Sequence, residues 1–368
     1  MQNKPESIVY FADVKVKKLE RDKTLPAKFV RMLENSRLAE KIKNKKVCIK
    51  MHLGDKLGYT TIHPFFVRTL VEFLKKSGAK KIFVADGSKK GCEARGYTRK
   101  TVKAKIVGLF GNLGRTKKFH IGFKKLDEIE ISKRVLDSDF LLVFSHVKGH
   151  GDAGFGAAAK NIAMGCIPSR SRSKLHSLEG GIEWNESKCK KCNKCIEECP
   201  NKANKFNDQG KYEVFWHNCK YCRHCILICP EGALKTTDIT YEDFLKGMAI
   251  VNKIILQHFK NNIFFINMLM NITIFCDCWG LSTPSLVPDI GIIASDDLIA
   301  IDKASLDFIR EENLIYRNNK PLGLPDDREL GEGEHLFEKI HSKNPLLLIK
   351  YLEEFELGLK NYKLIEIE

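Results

Sequence analysis

Eight of the thirteen cysteines fall into two runs of identical spacing, and this repeat limits the folds open to the chain. Each run reads CxxCxxCxxxCP, and the second begins thirty residues after the first. The runs are Cys189, Cys192, Cys195 and Cys199 before Pro200, and Cys219, Cys222, Cys225 and Cys229 before Pro230. Disulfide frameworks are typical of exported and usually smaller chains, whereas cysteines at such regular spacing indicate metal ligation. The repeat therefore predicts a metal-binding module.

The spacing also predicts which metal centre is bound. It is the pattern of bacterial ferredoxins, in which three closely spaced cysteines hold one cluster and the fourth ligates the cluster of the other run. We therefore predict two [4Fe–4S] clusters with crossed ligand sets. The first set is Cys189, Cys192, Cys195 and Cys229, and the second is Cys219, Cys222, Cys225 and Cys199. Zinc is the alternative, but zinc sites use pairs of CxxC motifs and explain neither the third cysteine nor the trailing proline.

Strands and amphipathic helices alternate on both sides of the cysteine runs, which is typical of βαβ units and a parallel sheet. Before the runs, we predict strands at 7–12, 47–51, 81–85 and 139–145, and helices at 26–42, 64–76 and 153–164. After them, we predict helices at 241–259, 297–311 and 345–357, and strands at 263–266, 273–277 and 289–295.

This order of elements predicts an α/β fold with a mainly parallel sheet flanked by helices, interrupted by a small α+β ferredoxin-like module. The predicted units are the first part of the α/β body at 1–182, the module at 183–236 and the second part of the body at 237–368. Two independent α/β lobes are the alternative.

The charge and the distribution of apolar residues indicate which partners and which cellular location to expect. The formal net charge is +16, but the lysines are scattered, and no dense basic run or nucleic-acid-binding motif is present, so nucleic acid is not an expected partner. The polar start shows no signal peptide. The most apolar stretch, 263–276, spans about 14 residues, which is too short to cross a membrane. We therefore predict a cytoplasmic protein without membrane insertion.

Three segments outside the cysteine runs resemble domain-of-unknown-function family 362. They are KMHLGDKLGYTTIHPFF at 50–66, SHVKGHGDAGFGAAAKNIAMGC at 145–166 and CDCWGLSTPSLVPDIGIIASDDLIAIDKAS at 276–305. The resemblance covers residues 9–312. It implies an iron–sulfur protein with an α/β body, because many members of that family carry a ferredoxin module like this one, and it implies no particular reaction.

A polar, glycine-rich segment follows the predicted strand at 139–145, where open α/β sheets bind ligands. We predict His146, Lys148 and His150 as catalytic residues, since histidine moves protons or binds metal and lysine holds carboxylate or phosphate. The glycines beside them would let a ligand approach the backbone. The tentative substrate-binding residues are Lys50, His52, Lys160 and Asn161. The alternative is a loop whose histidines only cap and hydrogen-bond the turn.

Cys276 and Cys278 close the predicted strand at 273–277. Because residues i and i+2 of a strand share a side, both thiols could face one pocket, as metal ligands or as a redox pair. Buried, inert thiols are the favoured interpretation, since cysteine packs well in cores. Asp277 is then expected on the opposite side of the strand.

These features together predict an iron–sulfur protein that relays electrons between a redox protein partner and a site in the α/β body. There it would act as a ferredoxin-type oxidoreductase on a small anionic substrate. The alternative is a non-catalytic electron carrier or docking protein whose α/β body binds a protein partner. Convergence of the predicted site residues on one pocket would favour the enzyme, and their dispersal would favour the carrier.

Overall fold

Residues from both sides of the cysteine runs contribute strands to one sheet. The computed structural model describes residues 6–55, 58–111, 115–199, 202–215, 218–219, 223–237, 240–279, 282–326 and 328–368. The strands of this part are β1 (Ser7–Asp13), β2 (Lys46–Lys50), β3 (Lys81–Asp86), β4 (Lys105–Gly108), β5 (Thr116–Phe123), β6 (Leu126–Ser132), β7 (Phe140–His146), β8 (Lys148–His150), β9 (Gly154–Gly156), β10 (Ile182–Trp184), β11 (Asn204–Phe206), β12 (Tyr212–Val214), β13 (Leu234–Thr236), β14 (Ile263–Leu269), β15 (Gly291–Ser295), β16 (Tyr316–Arg317), β17 (Lys320–Pro321) and β18 (Tyr362–Glu366).

Along the chain, most helices alternate with the strands of this sheet. They are α1 (Leu25–Asn35), α2 (Leu38–Ile42), α3 (Pro64–Lys76), α4 (Arg99–Val102), α5 (Lys133–Leu136), α6 (Ala158–Gly165), α7 (Ser169–His176), α8 (Lys194–Glu197), α9 (His224–Leu227), α10 (Tyr241–Phe259), α11 (Leu298–Phe308), α12 (Leu336–His341) and α13 (Leu346–Glu354). None of these described helices is long and apolar enough to cross a lipid bilayer.

Eight described strands form the main sheet, in the order β18-β1-β15-β14-β7-β2-β3-β4. The pairs of β14, β7, β2, β3 and β4 are all parallel, as is the pair of β1 with β18. Only β15 runs antiparallel to its neighbours β1 and β14 within this sheet. The predicted α/β class with a mainly parallel sheet is therefore confirmed.

Both faces of the sheet are buried under helices, which explains why its central strands are apolar throughout. Alternate residues of β7 enter different cores, with Leu141 and Val143 on one face and Leu142 and Phe144 on the other. The first face packs against α6, α10, α11 and α13, and the second against α1, α2 and α3. The carboxyl ends of the parallel strands are left free at one edge of this three-layer body.

Several element bounds agree with the sequence predictions, and others differ for identifiable reasons. Helices α3 and α10 have the predicted bounds. The predicted helix 26–42 breaks at Arg37, whose φ of 55° is left-handed, and the predicted helix 153–164 begins only at Ala158 because Gly154–Gly156 pairs with β8.

The predicted strand 273–277 is wrong. Asn271, with a left-handed φ of 50°, turns the chain after β14, and no strand forms at 273–277. The segment instead crosses β8, where the Gly149 N–H donates to the Thr273 carbonyl at 3.0 Å. It ends in a short 3-10 turn, Asp277–Trp279. The apolar sequence ITIF therefore packs as a buried loop.

Candidate functional site

A cavity of about 510 Å³ lies where the carboxyl ends of β2, β3 and β7 meet the start of α6. Ligands of open α/β sheets bind in this position. Five predicted site residues line the cavity, namely Lys50, His52, His146, Lys160 and Asn161. Its wall also contains Asp55, Asp86, Lys90, Arg172, Cys276, Asp277 and Cys278.

Asp86, at the end of β3, connects two of the predicted residues. Its carboxylate accepts hydrogen bonds from Lys50 Nζ at 3.1 Å and from His52 Nδ1 at 2.8 Å, and also from the Leu53 N–H at 3.0 Å. Burial alone would raise the pKa of Asp86, but the charges of Lys50 and His52 outweigh it and hold that pKa well below its ordinary value. Asp86 is therefore an anion that fixes Lys50 and His52 at adjacent strand ends.

The contact with Asp86 also fixes the ring of His52. A carboxylate only accepts hydrogen bonds, so Nδ1 of His52 carries a proton. Nε2 is buried and has no hydrogen-bond partner among the described residues. His52 as a residue also contributes to the cavity wall, and an imidazole in that position can exchange a proton with a bound molecule.

Asp277 forms a second buried network with His146 and Lys148. Asp277 Oδ2 lies 3.1 Å from His146 Nδ1, and Oδ1 accepts a hydrogen bond from Lys148 Nζ. The other ring nitrogen of His146, Nε2, donates to the Met270 carbonyl at 2.6 Å. Burial would raise the pKa of Asp277, but the charges of Lys148 and His146 hold it far below its usual range. This network fixes the loop after β14 against the end of β7.

The start of α6 is fixed by a residue distant in sequence. Asp302, on α11, accepts hydrogen bonds from the Ala158 and Ala159 N–H groups at 2.9 Å each, and so caps α6 from outside the helix. Two residues further along, Asn161 accepts a hydrogen bond from Lys50 Nζ at 2.7 Å. Asp302 thereby positions Lys160 and Asn161 in the cavity wall.

Lys148 and His150, predicted as catalytic, lie behind the cavity wall rather than in it. Lys148 is 1 % exposed, and its Nζ donates to Thr60 Oγ1 at 2.7 Å as well as to Asp277. His150 is 3 % exposed, and its Nδ1 accepts the Asp152 and Ala153 N–H groups. Both residues therefore act on the cavity through the side chains that they contact.

The glycines of this segment were predicted to let a ligand approach the backbone, and this prediction is wrong for Gly149. A Cβ at this position would collide with the Ile274 carbonyl, so the absent side chain admits the loop after β14 and not a ligand. Gly156, by contrast, does line the cavity.

Cys276 and Cys278 are joined by a disulfide and are not inert core thiols. Cys276 is 7 % exposed, whereas Cys278 is exposed. Lys160 Nζ lies 3.6 Å from Cys276 Sγ and 3.5 Å from Cys278 Sγ. Asp277 between them points into the body toward His146, because the turn replaces the predicted strand. The expectation of Asp277 on an opposite strand face was therefore wrong.

Among the described residues, two groups of side chains bring metal-ligating atoms within 4.8 Å of one another. They are His150, Cys276 and Cys278, and Asp152, His176 and Glu179. In the first group, both sulfurs are bonded to each other in the disulfide and carry no thiolate for a metal. His150 Nδ1 accepts two N–H groups, so its proton lies on Nε2, which faces Cys278 Sγ at 3.7 Å and has no lone pair for a metal.

The described parts of the two cysteine runs share local features at positions thirty residues apart. Asn193 and Arg223 both have a left-handed φ of 63°, and a four-residue helix follows each of them. The fourth sulfur of each run accepts a backbone N–H, Cys199 Sγ from Ala203 at 3.2 Å and Cys229 Sγ from Ala233 at 3.3 Å. β10, before the first run, pairs with β13, after the second, and β11 pairs with β12 between the two runs.

A small cavity in this region collects four of the predicted cluster ligands. Cys189, Cys192 and Cys195 of the first run line it together with Cys229 of the second. The aromatic side chains of Trp184, Phe206 and Tyr212 form another part of its wall. Of the other predicted set, Cys199, Cys219 and Cys225 are described, whereas Cys222 and also Pro200 lie outside the described residues.

Asp277 is the residue whose importance sequence reasoning missed. Asp86 directly follows the predicted strand at 81–85, so it carried the same sequence signal as His146. Asp277 had no such signal, because its position depends on the turn after β14.

Comparisons with known proteins complete the description of the site. Residues 47–307 match the family described as "Domain of unknown function (DUF362)". No curated protein matches the chain. A crystal structure of a Thermotoga maritima protein is 15 % identical, with a TM-score of 0.38, and the match covers 68 % of this chain and 52 % of that one. The lactate racemase apoprotein from Thermoanaerobacterium thermosaccharolyticum is 14 % identical, with a TM-score of 0.35 and coverages of 72 % and 51 %. The chain thus spans about half the length of either protein.

Proposed function

The chain belongs to the DUF362 family, whose description names no reaction, and we propose that it is an iron–sulfur electron-transfer protein. Residues 183–236 are the module that holds two [4Fe–4S] clusters. The cavity at the carboxyl edge of the main sheet is the site at which a small anionic substrate is oxidised or reduced. A redox protein partner exchanges electrons with the module.

One observation carries the cluster assignment. Cys229 shares a cavity with Cys189, Cys192 and Cys195, from which it is distant in sequence, and this is the crossed set that ferredoxin spacing requires. Four thiols around one enclosed space fit an iron–sulfur cube.

The surroundings of the sulfurs support the same assignment. Backbone N–H groups reach the sulfurs of Cys189, Cys199 and Cys229 at 3.4, 3.2 and 3.3 Å, and such hydrogen bonds stabilise thiolates bound to metal. Aromatic side chains limit the access of water on another side of the cavity. When bound, the clusters would supply single electrons at low potential.

The charges of the larger cavity favour an anion. The Lys50 ammonium is neutralised by Asp86, and Asp277 is neutralised by Lys148. Lys160 and Arg172 form no ion pair with a carboxylate of the described residues, and both line the cavity. Their charges therefore remain available to a carboxylate or phosphate group.

His52 is the residue that we assign to proton transfer. Asp86 holds its ring through Nδ1–H and His52 lines the cavity, so the imidazole can take a proton from a bound molecule and return it. The His146, Lys148 and Asp277 network positions the wall of the cavity. Lys50, His52 and His146 converge on one cavity, whereas Lys148 and His150, which belong to the same test, lie behind its wall. The convergence of the first three supports an oxidoreductase over the alternative of a non-catalytic electron carrier.

Metal analysis tests the electron-transfer assignment. Protein purified without oxygen should hold about eight irons and about eight acid-labile sulfides per chain, as two four-iron cubes require. Stoichiometric zinc without sulfide would refute the proposal. Mass spectrometry of small molecules released from the same preparation tests the cavity, from which we expect an anionic compound.

A pair of variants separates the two parts of the proposal. His52→Gln keeps the side chain in place but removes the base, and should abolish turnover while iron and sulfide stay at their full content. The matched control is His63→Gln, because His63 lies at the N-terminus of α3 and is not among the residues of the cavity wall. Loss of iron in His52→Gln would show that the cavity and the clusters are not separate sites.

A further inference from the structure

The disulfide between Cys276 and Cys278 closes a very short loop, with one residue between the two cysteines. Disulfides stabilise a fold mainly by restricting the unfolded chain, and short loops give the least stabilisation. Stability therefore does not explain this bond. Outside the two cysteine runs, the other described cysteines, Cys48, Cys92 and Cys166, are buried and carry free thiols, whereas the bonded pair lines the cavity.

The surroundings of the pair are those of a reactive sulfur. Cys278 is exposed, whereas Cys276 is 7 % exposed, so the two sulfurs are not equivalent in access. Lys160 Nζ lies within 3.6 Å of both sulfurs, and a neighbouring ammonium stabilises a thiolate. The His150 ring presents its Nε2–H to Cys278 Sγ at 3.7 Å. A cation and a proton donor thus converge on the bond.

The same groups argue against a metal at this position. The Lys160 ammonium would repel a cation placed between the sulfurs, and burial lowers the pKa of Lys160 only to about 8, which leaves it mostly charged at neutral pH. His150 cannot ligate through Nε2 while its Nδ1 accepts two N–H groups. The arrangement suits thiolates better than metal-bound sulfur.

We propose that Cys276 and Cys278 form a redox-active pair that cycles between disulfide and dithiol in the wall of the cavity. The co-reactant is a dithiol or, in the reverse direction, its cyclic disulfide. A thiolate of the reductant attacks the exposed Cys278 Sγ, the new S–S bond forms as the Cys276–Cys278 bond breaks, and the electron pair leaves with Cys276 beside Lys160. The second thiol of the reductant then displaces Cys278. The pair gains two electrons and two protons, and the reductant becomes a disulfide.

A chain of contacts links this pair to the second cysteine run. Phe275, next to Cys276, lies under the guanidinium of Arg328, whose carbon is 5.1 Å from the ring centroid. Arg328 Nη2 donates to Asn218 Oδ1 at 2.9 Å, and Asn218 directly precedes Cys219. This contact places the pair beside the module, but the proposed thiol chemistry does not depend on the clusters or on the proposed function.

Differential alkylation of the full chain tests the proposal. The protein is equilibrated without oxygen in buffers of reduced and oxidised dithiothreitol at several ratios, quenched with acid, alkylated and analysed by peptide mass spectrometry. The peptide that contains Cys276 and Cys278 should pass from the disulfide to the doubly alkylated form in one two-electron transition. Cys48 and Cys92, as internal controls, should be alkylated to the same extent at every ratio.

Two outcomes would overturn the inference. A peptide that is doubly alkylated even in fully oxidised buffer would show that the bond does not form. A disulfide that is reduced only when circular dichroism shows unfolding would show a structural crosslink. Neither result depends on the iron content. A protein that lacks clusters but whose cysteine pair still cycles would refute the proposed function and leave this inference standing.

A variant pair probes the contact with Lys160. Lys160→Met should slow alkylation of the reduced pair in the folded protein about fivefold, the effect of removing one charge about 4 Å away in water. The matched control is Lys90→Met, which also removes a lysine of the cavity wall but lies outside the sulfur contacts. Equal rates in both variants would contradict the role of Lys160, and rescue by Lys160→Arg would support it.

Discussion

Asp277 Oδ2 lies 3.1 Å from His146 Nδ1, although 131 positions separate the two residues in the sequence. The same carboxylate accepts a hydrogen bond from Lys148, and its exposure is 3 %. A buried carboxylate held by a lysine ammonium and a histidine ring fixes geometry, because removal of the carboxylate leaves the Lys148 ammonium unpaired in a low dielectric. This network anchors the loop that carries the disulfide to the end of β7.

The first prediction is that Asp277→Asn destabilises the α/β body by about 3 kcal/mol, the usual cost of breaking a buried ion pair. The free energy of unfolding is measured by guanidinium titration followed by circular dichroism. Asp296→Asn is the matched control, since its salt bridge with Lys41 is exposed and should contribute less than about 1 kcal/mol. Equal losses in the two variants would contradict the structural role given to Asp277.

The second prediction concerns acid stability. Both Asp86 and Asp277 have pKa values lowered below the ordinary 3.8 because the charges of Lys50, Lys148 and the histidines outweigh burial. The unfolded chain therefore binds protons that the folded chain does not. The resulting stability is complete above about pH 4 and is lost as the pH falls further.

Unfolding titrations between about pH 7 and about pH 3 measure this dependence. The double variant Asp86→Asn/Asp277→Asn should be less stable at neutral pH but should lose less stability on acidification. Asp296→Asn should keep the full acid dependence. A double variant with the same slope as the unmodified chain would assign the acid sensitivity to other carboxylates.

The sequence was sufficient to locate the cavity but not to assign its residues. Apolar strands that end in polar residues predict a ligand site at the sheet edge, and Lys50, His52 and His146 do meet there. The pairing of His52 with Asp86 requires β2 and β3 to be neighbours in the sheet. The sequence does not give the order of the strands, so it could not predict this pair. Asp277 was misplaced because the buried sequence ITIF fits a strand as well as it fits the observed loop, and a left-handed Asn271 decides between them.

The third prediction is that anion binding weakens as the pH rises through about 8, because burial lowers the pKa of Lys160 to about 8 and its ammonium is lost above that value. Sulfate is a suitable probe, since its charge is constant over this range. Isothermal titration calorimetry should show weaker binding above this pH. Lys160→Met should bind sulfate about tenfold more weakly at neutral pH and without that pH dependence, whereas Lys350→Met, at an exposed position, should behave like the unmodified chain.

The fourth prediction uses Gly165, the last residue of α6. A Cβ at this position would collide with Lys50 Nζ and Cε, and Lys50 has no room to move because Asp86, Asn161 and the Met51 carbonyl all hold its amine. Gly165→Ala should therefore cost about 2 kcal/mol of stability, as overpacking does, and should weaken sulfate binding.

Two further variants show whether that clash is the cause. Gly108→Ala is the control, because its Cβ would meet Lys89 Cγ at an ordinary 3.6 Å and should change little. Lys50→Ala removes the atoms that collide, so the cost of Gly165→Ala should be much smaller in a Lys50→Ala background than in the unmodified chain. If the stability costs of Gly165→Ala and Lys50→Ala were additive, the effect of Gly165→Ala would not come from a clash with Lys50.

The last prediction is that each cluster takes three cysteines from one run and its fourth cysteine from the other run. Cys229 lies in the wall of the cavity formed by Cys189, Cys192 and Cys195, so Cys229→Ala should impair the same cluster as Cys192→Ala. Cys199→Ala should impair the same cluster as Cys225→Ala. Electron paramagnetic resonance of the reduced proteins, together with iron content, measures which cluster remains. Each variant should lose about four of about eight irons or retain an altered cluster. If the residual spectrum of Cys229→Ala matched that of Cys225→Ala, each run would hold its own cluster, and the shared cavity would have another origin.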